Sequence, residues 1–121
     1  MASKRDDASR VMVVMTTVGT EEQAAEIARH VVGRGLAACV NIVPGVRSIY
    51  RWKGEVSDDR EHLLIVKTAR AGFAALAAAI REKHPYELPE LVGVDAALVE
   101  PTYAAWVLES SAGASPEQNR S

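Results

Sequence analysis

The sequence has a single cysteine and no excess of basic residues, and these two absences narrow what the chain can be. Cys39 has no second cysteine with which to form an internal disulfide, so nothing favours an oxidising compartment. The formal net charge is -2 and the sequence pI is about 5.9. The chain therefore lacks the basic surface with which proteins hold a phosphate backbone, and we expect no nucleic-acid partner.

Long apolar runs are missing as well. The run from Val11 to Met15 is too short for the hydrophobic core of a signal peptide and far too short to cross a bilayer. We therefore expect no membrane association and a cytoplasmic location. The sequence also contains no serine-nucleophile motif, glycine-rich phosphate loop or closed set of Cys and His zinc ligands, so we do not expect an enzyme.

What is present fits one folded domain. The chain has 121 residues, of which 48% are hydrophobic and 25% charged, and this composition excludes an intrinsically disordered protein. Residues 1–10 and 110–121 are polar and lack apolar periodicity. We predict that they are disordered tails on either side of a domain formed by residues 11–109.

Apolar periodicity and turn residues predict the elements of this domain. The first half contains a strand at Val11–Met15, a helix capped by Thr20 and ended by Gly33 and Gly35, and extended segments at 37–43 and 46–52 joined by a bulge at Pro44–Gly45. A turn at Lys53–Gly54 then leads to a strand at Glu61–Lys67 and a helix from Arg70 to His84. The last elements are a strand at Leu91–Val99 and a short helix that begins at Pro101.

This β-α-β-β-α-β order predicts an α+β, ferredoxin-like fold in which both main helices cover one face of an antiparallel sheet. The strands are apolar at nearly every position, whereas a solvated face would require alternation with polar residues. Only the short C-terminal helix is left to cover the second face. The sequence therefore predicts a homo-oligomer in which a second copy completes the cover.

The sequence also resembles a known family. The resemblance lies in the segment from Ala37 to Val46, its continuation through Ser48–Glu55, Glu61, the strand end Lys67–Thr68, the segment His84–Glu90, and Tyr103 with Trp106. Together these motifs span Val11 to Leu108 and are similar to the CutA divalent-cation tolerance family. Several motifs in register are far more specific than one short motif.

The resemblance implies a tight homotrimer in which long hairpins pair between neighbouring subunits, an assembly similar to that of the PII signalling proteins. It implies a role in the response to divalent metal ions, with weak copper binding. A second interpretation is a PII-like signalling or scaffold trimer that binds a small ligand or partner in clefts between subunits.

The resemblance also implies candidate metal ligands. His84 lies where family members with an assigned copper site have a histidine, but Lys83 and Met15 replace the histidine and cysteine that accompany it there. Met15 can offer a thioether to Cu(I), and Cys39 is a further soft candidate, although a cysteine within an apolar strand is more often a buried hydrophobe. His84 can equally be a histidine favoured by the carbonyl end of a helix.

A second candidate site follows from strand geometry. Glu61 and Lys67 share a face of one strand because their separation is even, and Tyr50 and Trp52 share a face of its hairpin partner. These side chains could line an inter-subunit cleft for an anion or a small metabolite, or they could form an ion pair with aromatic interface packing. The residues assigned to this cleft are Tyr50, Trp52, Glu61, Lys67, Tyr86 and Glu90.

Overall fold

The computed structural model describes residues 10–113, which form a four-stranded antiparallel sheet and three helices. The elements are β1 (Val11–Val18), α1 (Glu21–Gly33), β2 (Cys39–Trp52), β3 (Glu55–Ala69), α2 (Phe73–Lys83), β4 (Val92–Asp95) and α3 (Pro101–Ser110). The spatial order of the strands is β2-β3-β1-β4, which confirms the predicted split β-α-β arrangement. Within the described residues, no helix is long and apolar enough to cross a membrane.

Local turn and cap chemistry lies where the sequence predicts it. The hydroxyl of Thr20 accepts a hydrogen bond from the backbone N–H of Gln23 at 3.1 Å and caps α1. The β2–β3 register shifts between Val43 and Val46, which confirms the bulge. The tight turn between the strands has positive φ angles, 52° at Lys53 and 83° at Gly54.

The last strand is shorter than predicted. We expected Leu91–Val99, but β4 contains only Val92–Asp95. Its partner β1 begins at Val11, whose carbonyl accepts the N–H of Ala96 at 2.9 Å. Beyond that point no part of β1 remains to pair with β4, so the chain leaves the sheet although it stays apolar. Leu98, in the part predicted as strand, is 94% exposed.

The main core lies between the sheet and the first two helices. Alternate strand residues point to this side, which is the pattern expected for a sheet covered on one face. The buried residues of the core are Met12, Val14 and Val18 on β1, Leu64 and Val66 on β3, Ala24, Ile27 and Val31 on α1, Leu76, Ala79 and Ile80 on α2, and Leu36 and Ala37 between α1 and β2.

The opposite side of the sheet, which we call the open face, is apolar and only partly covered. It carries Val13 and Met15 on β1, Cys39 on β2, Leu63, Ile65 and Lys67 on β3, and Val92 and Val94 on β4. α3 packs against β1 and β3, and its Val107 is buried outside the main core. Val92 and Val94 nevertheless remain about half exposed, at 47% and 50%.

The β2–β3 hairpin extends well past the rest of the sheet. β1 pairs with β3 only from His62 to Ala69, whereas β2 pairs with β3 along its whole length. The residues Val46–Trp52 and Glu55–Glu61 therefore form a two-stranded ribbon, and no described strand pairs with its β3 edge. A bidentate contact between Arg47 and Asp58, at 2.7 and 2.9 Å, bridges the two strands of the ribbon on its exposed surface.

The C-terminal segment folds back on the end of α1. α3 runs to Ser110, one residue past the predicted domain limit, and the N–H of Gly113 donates to the carbonyl of Gly35 at 2.9 Å. Gly35 has a φ of +71°, and a Cβ atom there would meet Gly113 Cα at 2.9 Å. The described chain therefore packs against the end of α1 as far as Gly113, beyond the start of the predicted tail. The rest of the predicted tails, 1–9 and 114–121, lies outside the described residues.

Candidate functional site

A cleft of about 750 Å³ lies between the ribbon and the segment that links α2 to β4. The bulge at Pro44–Gly45 shifts the register of β2, so that Tyr50 and Trp52 lie on the same side of the ribbon as Glu61. The cleft is lined by Thr17 of β1, Ser48–Trp52 of β2, Asp59 and Glu61 of β3, and Tyr86, Glu87, Leu88 and Glu90 of the linking segment.

The floor of the cleft carries a buried carboxylate. Glu61 is only 6% exposed, and its Oε2 accepts a hydrogen bond from the Tyr86 hydroxyl at 2.6 Å. Burial is the main cause that raises the pKa of Tyr86, and the hydrogen bond to Glu61 raises it further. Tyr86 is therefore a neutral hydrogen-bond donor. Its hydroxyl contacts the Glu61 carboxylate but brings no positive charge to it.

His84 anchors the linking segment to β1. It caps the C-terminus of α2, where Pro85 prevents the helix from continuing. Its Nδ1 must accept, because its partner at 3.2 Å is the backbone N–H of Tyr86. Nε2 therefore carries the proton and donates to the carbonyl of Thr17 at 2.8 Å. The ring also packs edge to face against Tyr86, with centroids 4.7 Å apart.

This arrangement predicts that His84 makes the stability of the folded protein sensitive to acid. Burial lowers the pKa of His84, and its contacts with Thr17 and Glu61 offset that effect only in part. An unfolded histidine titrates near 6.5, so below about that pH the unfolded chain binds a proton that the folded chain does not. Stability should therefore fall as the pH drops from about 6.5 to the folded pKa, whereas above 6.5 this group has no effect on the pH dependence.

The check is a series of urea unfolding curves between pH 5 and 8. His84→Gln keeps an acceptor and a donor but cannot titrate, so its stability should vary less over the acidic half of this range. Ala78→Gln, which places the same side chain on the exposed side of α2 and removes no titratable group, should retain the slope of the parent protein. An unchanged slope in His84→Gln would assign the acid sensitivity to other groups.

Two more groups show that the cleft is electronegative. The Tyr50 hydroxyl donates to Asp59 Oδ2 at 2.5 Å, and this bond is the main cause that raises the pKa of Tyr50. Burial raises the pKa of Glu90, and the neighbouring charge of Glu61 raises it further. A neighbouring negative charge disfavours the ionised form of a carboxyl group such as that of Glu90.

The rim of the cleft holds a cation supplied by the chain itself. The ammonium of Lys53 lies over the Trp52 ring, 5.6 Å from its centroid, and 3.8 Å from Glu87 Oε1. Lys53 lies at the hairpin turn with a φ of 52°, and its side chain reaches Glu87 of the linking segment. The rim therefore combines an aromatic face with a carboxylate around one ammonium.

The structure brings five of the six predicted cleft residues together within one chain, namely Tyr50, Trp52, Glu61, Tyr86 and Glu90. Lys67 shares the sheet face of Glu61 but is not among the lining residues; its ammonium donates to the side-chain oxygen of Asn41. No Glu61–Lys67 ion pair forms among the described residues, so the ion-pair part of that alternative is wrong, and the aromatic interface packing stays a prediction. Sequence reasoning missed Asp59, Thr17 and the position of Lys53.

The three predicted metal ligands do not converge. Met15 on β1 and Cys39 on β2 both lie on the open face, but β3 separates their strands and places their backbones roughly 10 Å apart or more. His84 lies at the end of α2 beside Thr17. Residues 10–113 contain no group of three or more Cys, His, Asp or Glu side chains placed to hold a metal ion. His84 thus belongs to no such group within residues 10–113.

Comparison with known proteins gives a consistent set of similarities. Residues 12–110 match the family model described as CutA1 divalent ion tolerance protein. The divalent-cation tolerance protein CutA of Thermus thermophilus is 48% identical over 99 residues, which cover 82% of this chain and 96% of that protein. A solved structure of a divalent cation tolerance protein from that organism gives a TM-score of 0.82 at 46% identity, covering 84% of this chain and 98% of that one.

The similarity extends to more distant organisms. Protein CutA of Mus musculus is 41% identical over 97 residues, or 80% of this chain, but the match spans only 55% of the mouse protein. A structure from Archaeoglobus fulgidus, described as the periplasmic divalent cation tolerance protein CutA, has a TM-score of 0.81 at 28% identity and covers 84% of this chain and 98% of that one.

Proposed function

Because this chain belongs to the CutA1 divalent ion tolerance family, we propose that it acts in the response to divalent metal ions as a homotrimer with no enzymatic activity. The observation that carries the assembly is the open face, whose valines on β4 stay half exposed beside an apolar sheet. The ribbon supports it too, since a sheet edge without a partner tends to pair with another chain. The number three comes from the family resemblance.

The absence of enzymatic activity rests on the chemistry of the cleft. The phenols of Tyr50 and Tyr86 are held protonated as donors to Asp59 and Glu61. The hydroxyls of Ser48 and Thr17 also line the cleft, and neither is hydrogen-bonded to a base among the described residues. Turnover above background in a panel of hydrolytic assays would contradict this part of the proposal. We also propose a cytoplasmic location, because the only cysteine in the chain cannot form an internal disulfide; cell fractionation tests it.

We further propose that copper binds weakly and through His84. Metal-binding histidines commonly donate one ring N–H to a backbone carbonyl while the other nitrogen offers its lone pair, and His84 already donates from Nε2 to Thr17. The lone pair of Nδ1 is used by the N–H of Tyr86, which copper has to displace. That competition and the lack of converging ligands do not fit a strong site.

Copper titrations of three proteins at one pH test this proposal. His84→Ala should bind copper at least roughly tenfold more weakly than the parent, since the loss of a ligand costs no less than the loss of its supporting contacts. Cys39→Ser should bind like the parent, because Cys39 begins β2, which β3 separates from the strand of Thr17, the residue that His84 contacts. Each variant is first checked for an unchanged mass in solution. Loss of binding in Cys39→Ser alone would move the site to the open face.

A further inference from the structure

The charges around the cleft are unbalanced. Its described lining contains the carboxylates Asp59, Glu61, Glu87 and Glu90 and one cationic side chain, Arg51. Lys53 adds a second cation at the rim, beside Glu87, so carboxylates remain in excess. The guanidinium of Arg51 is directed to the carbonyl of Gly54 at the ribbon turn, 3.5 Å away. The cleft therefore favours a cationic ligand over the anion that strand geometry alone allowed, because an anion would add to an existing excess of negative charge.

The walls of the cleft are suited to an organic cation. Tyr50, Trp52 and Tyr86 present partly exposed rings to it, and aromatic faces attract ammonium groups. The Lys53 ammonium, held between the Trp52 ring and Glu87, shows this recognition within the molecule itself. A bare metal ion fits less well, since it needs several converging oxygens and the described residues provide no such group.

We propose that the cleft binds a small linear organic polycation with at least two ammonium groups. One ammonium occupies the rim at Trp52 and Glu87, and the other lies on the floor beside Glu61 and Glu90. Two features require more than one charge: carboxylates line both the rim and the floor, and the volume of about 750 Å³ is too large for a single ammonium ion. Lys53 competes with the ligand for the rim.

Calorimetric titration of the full-length protein with 1,4-diaminobutane and with spermidine tests the proposal. Trp52→Leu and Glu90→Gln should each weaken binding roughly two- to fivefold, and the double variant roughly four- to twenty-five-fold. Lys53→Asn should strengthen binding, because it removes the competing ammonium while asparagine tolerates the positive φ of the turn. Glu109→Gln, which removes the same charge from exposed α3, should bind like the parent.

Matched ligands give the outcomes that would overturn the proposal. The neutral isostere 1,4-butanediol should not bind, and equal binding of the diol would show that charge is not recognised. Binding of Mg²⁺ without binding of either amine would make the cleft a site for inorganic cations and reject the proposal, as would equal amine affinities in the parent and the double variant. The proposed function is tested by other measurements, namely the solution mass and the copper titration of His84→Ala. A failure of the polycation proposal is therefore distinguishable from a failure of the proposed function.

Discussion

Replacing Val94 by aspartate is expected to convert the proposed trimer into monomers of 13.0 kDa. Val94 lies on the open face and is half exposed in the single chain, so the carboxylate stays solvated in a monomer. In the trimer three carboxylates would be buried in an apolar contact, and an unpaired buried charge costs several kcal/mol. The summed cost is comparable to the free energy that holds a typical stable complex together.

Light scattering at micromolar concentration measures this change, and circular dichroism checks that the monomer is folded. The matched control is Ala78→Asp, which adds the same charge to the exposed side of α2 on the opposite face of the sheet. The control should keep the mass of the parent. A parent protein that is itself monomeric, or a Val94→Asp variant that keeps its full mass, would contradict assembly through this face.

Gly35→Ala is expected to destabilise the folded chain by about 2–5 kcal/mol. A left-handed backbone costs a residue with a Cβ roughly 1–2 kcal/mol, and forcing atoms into a packed contact costs roughly 1–3 kcal/mol. Both costs apply at Gly35, whose φ is +71° and whose added Cβ would lie 2.9 Å from Gly113 Cα. Backbone atoms cannot rotate away as the end of a side chain can.

Gly33→Ala is the control for this prediction, and its expected effect has the opposite sign. Gly33 is the last residue of α1, its φ is not positive, and an added Cβ would meet nothing within 4 Å. Alanine there should stabilise the helix by up to roughly 1 kcal/mol. Urea unfolding at one fixed protein concentration compares the two variants, since assembly makes stability depend on concentration. Equal stabilities of the two variants would show that the backbone at Gly35 and Gly113 moves apart without cost to make room for the added Cβ.

Features determined by neighbouring residues were predictable from the sequence. The Thr20 cap, the bulge at Pro44–Gly45 and the turn at Lys53–Gly54 each depend on two to four adjacent residues, and each lies where it was predicted. The end of β4 depends instead on where β1 begins, far away in the chain. Apolar residues continue to Val99, so composition alone could not show that pairing stops after Asp95.

The candidate site shows the same limit. Alternation along a strand correctly grouped Glu61 with Lys67 on one face, but it gives no distance, and six residues of strand separate them by roughly 20 Å. The contacts of Tyr86 with Glu61 and of His84 with Thr17 join residues 25 and 67 positions apart. Such contacts follow from how the linking segment folds over the sheet, which no local pattern encodes.

The unpaired edge of the ribbon allows the separation of subunits to be followed by amide hydrogen exchange. Along Glu55–Glu61 every second peptide group points away from β2, toward an edge that no described strand occupies. In an isolated chain the amide hydrogens on that edge exchange with deuterated solvent quickly, whereas pairing with a neighbouring subunit slows them. The rate of isotope uptake in this short stretch therefore reports how often the subunits separate.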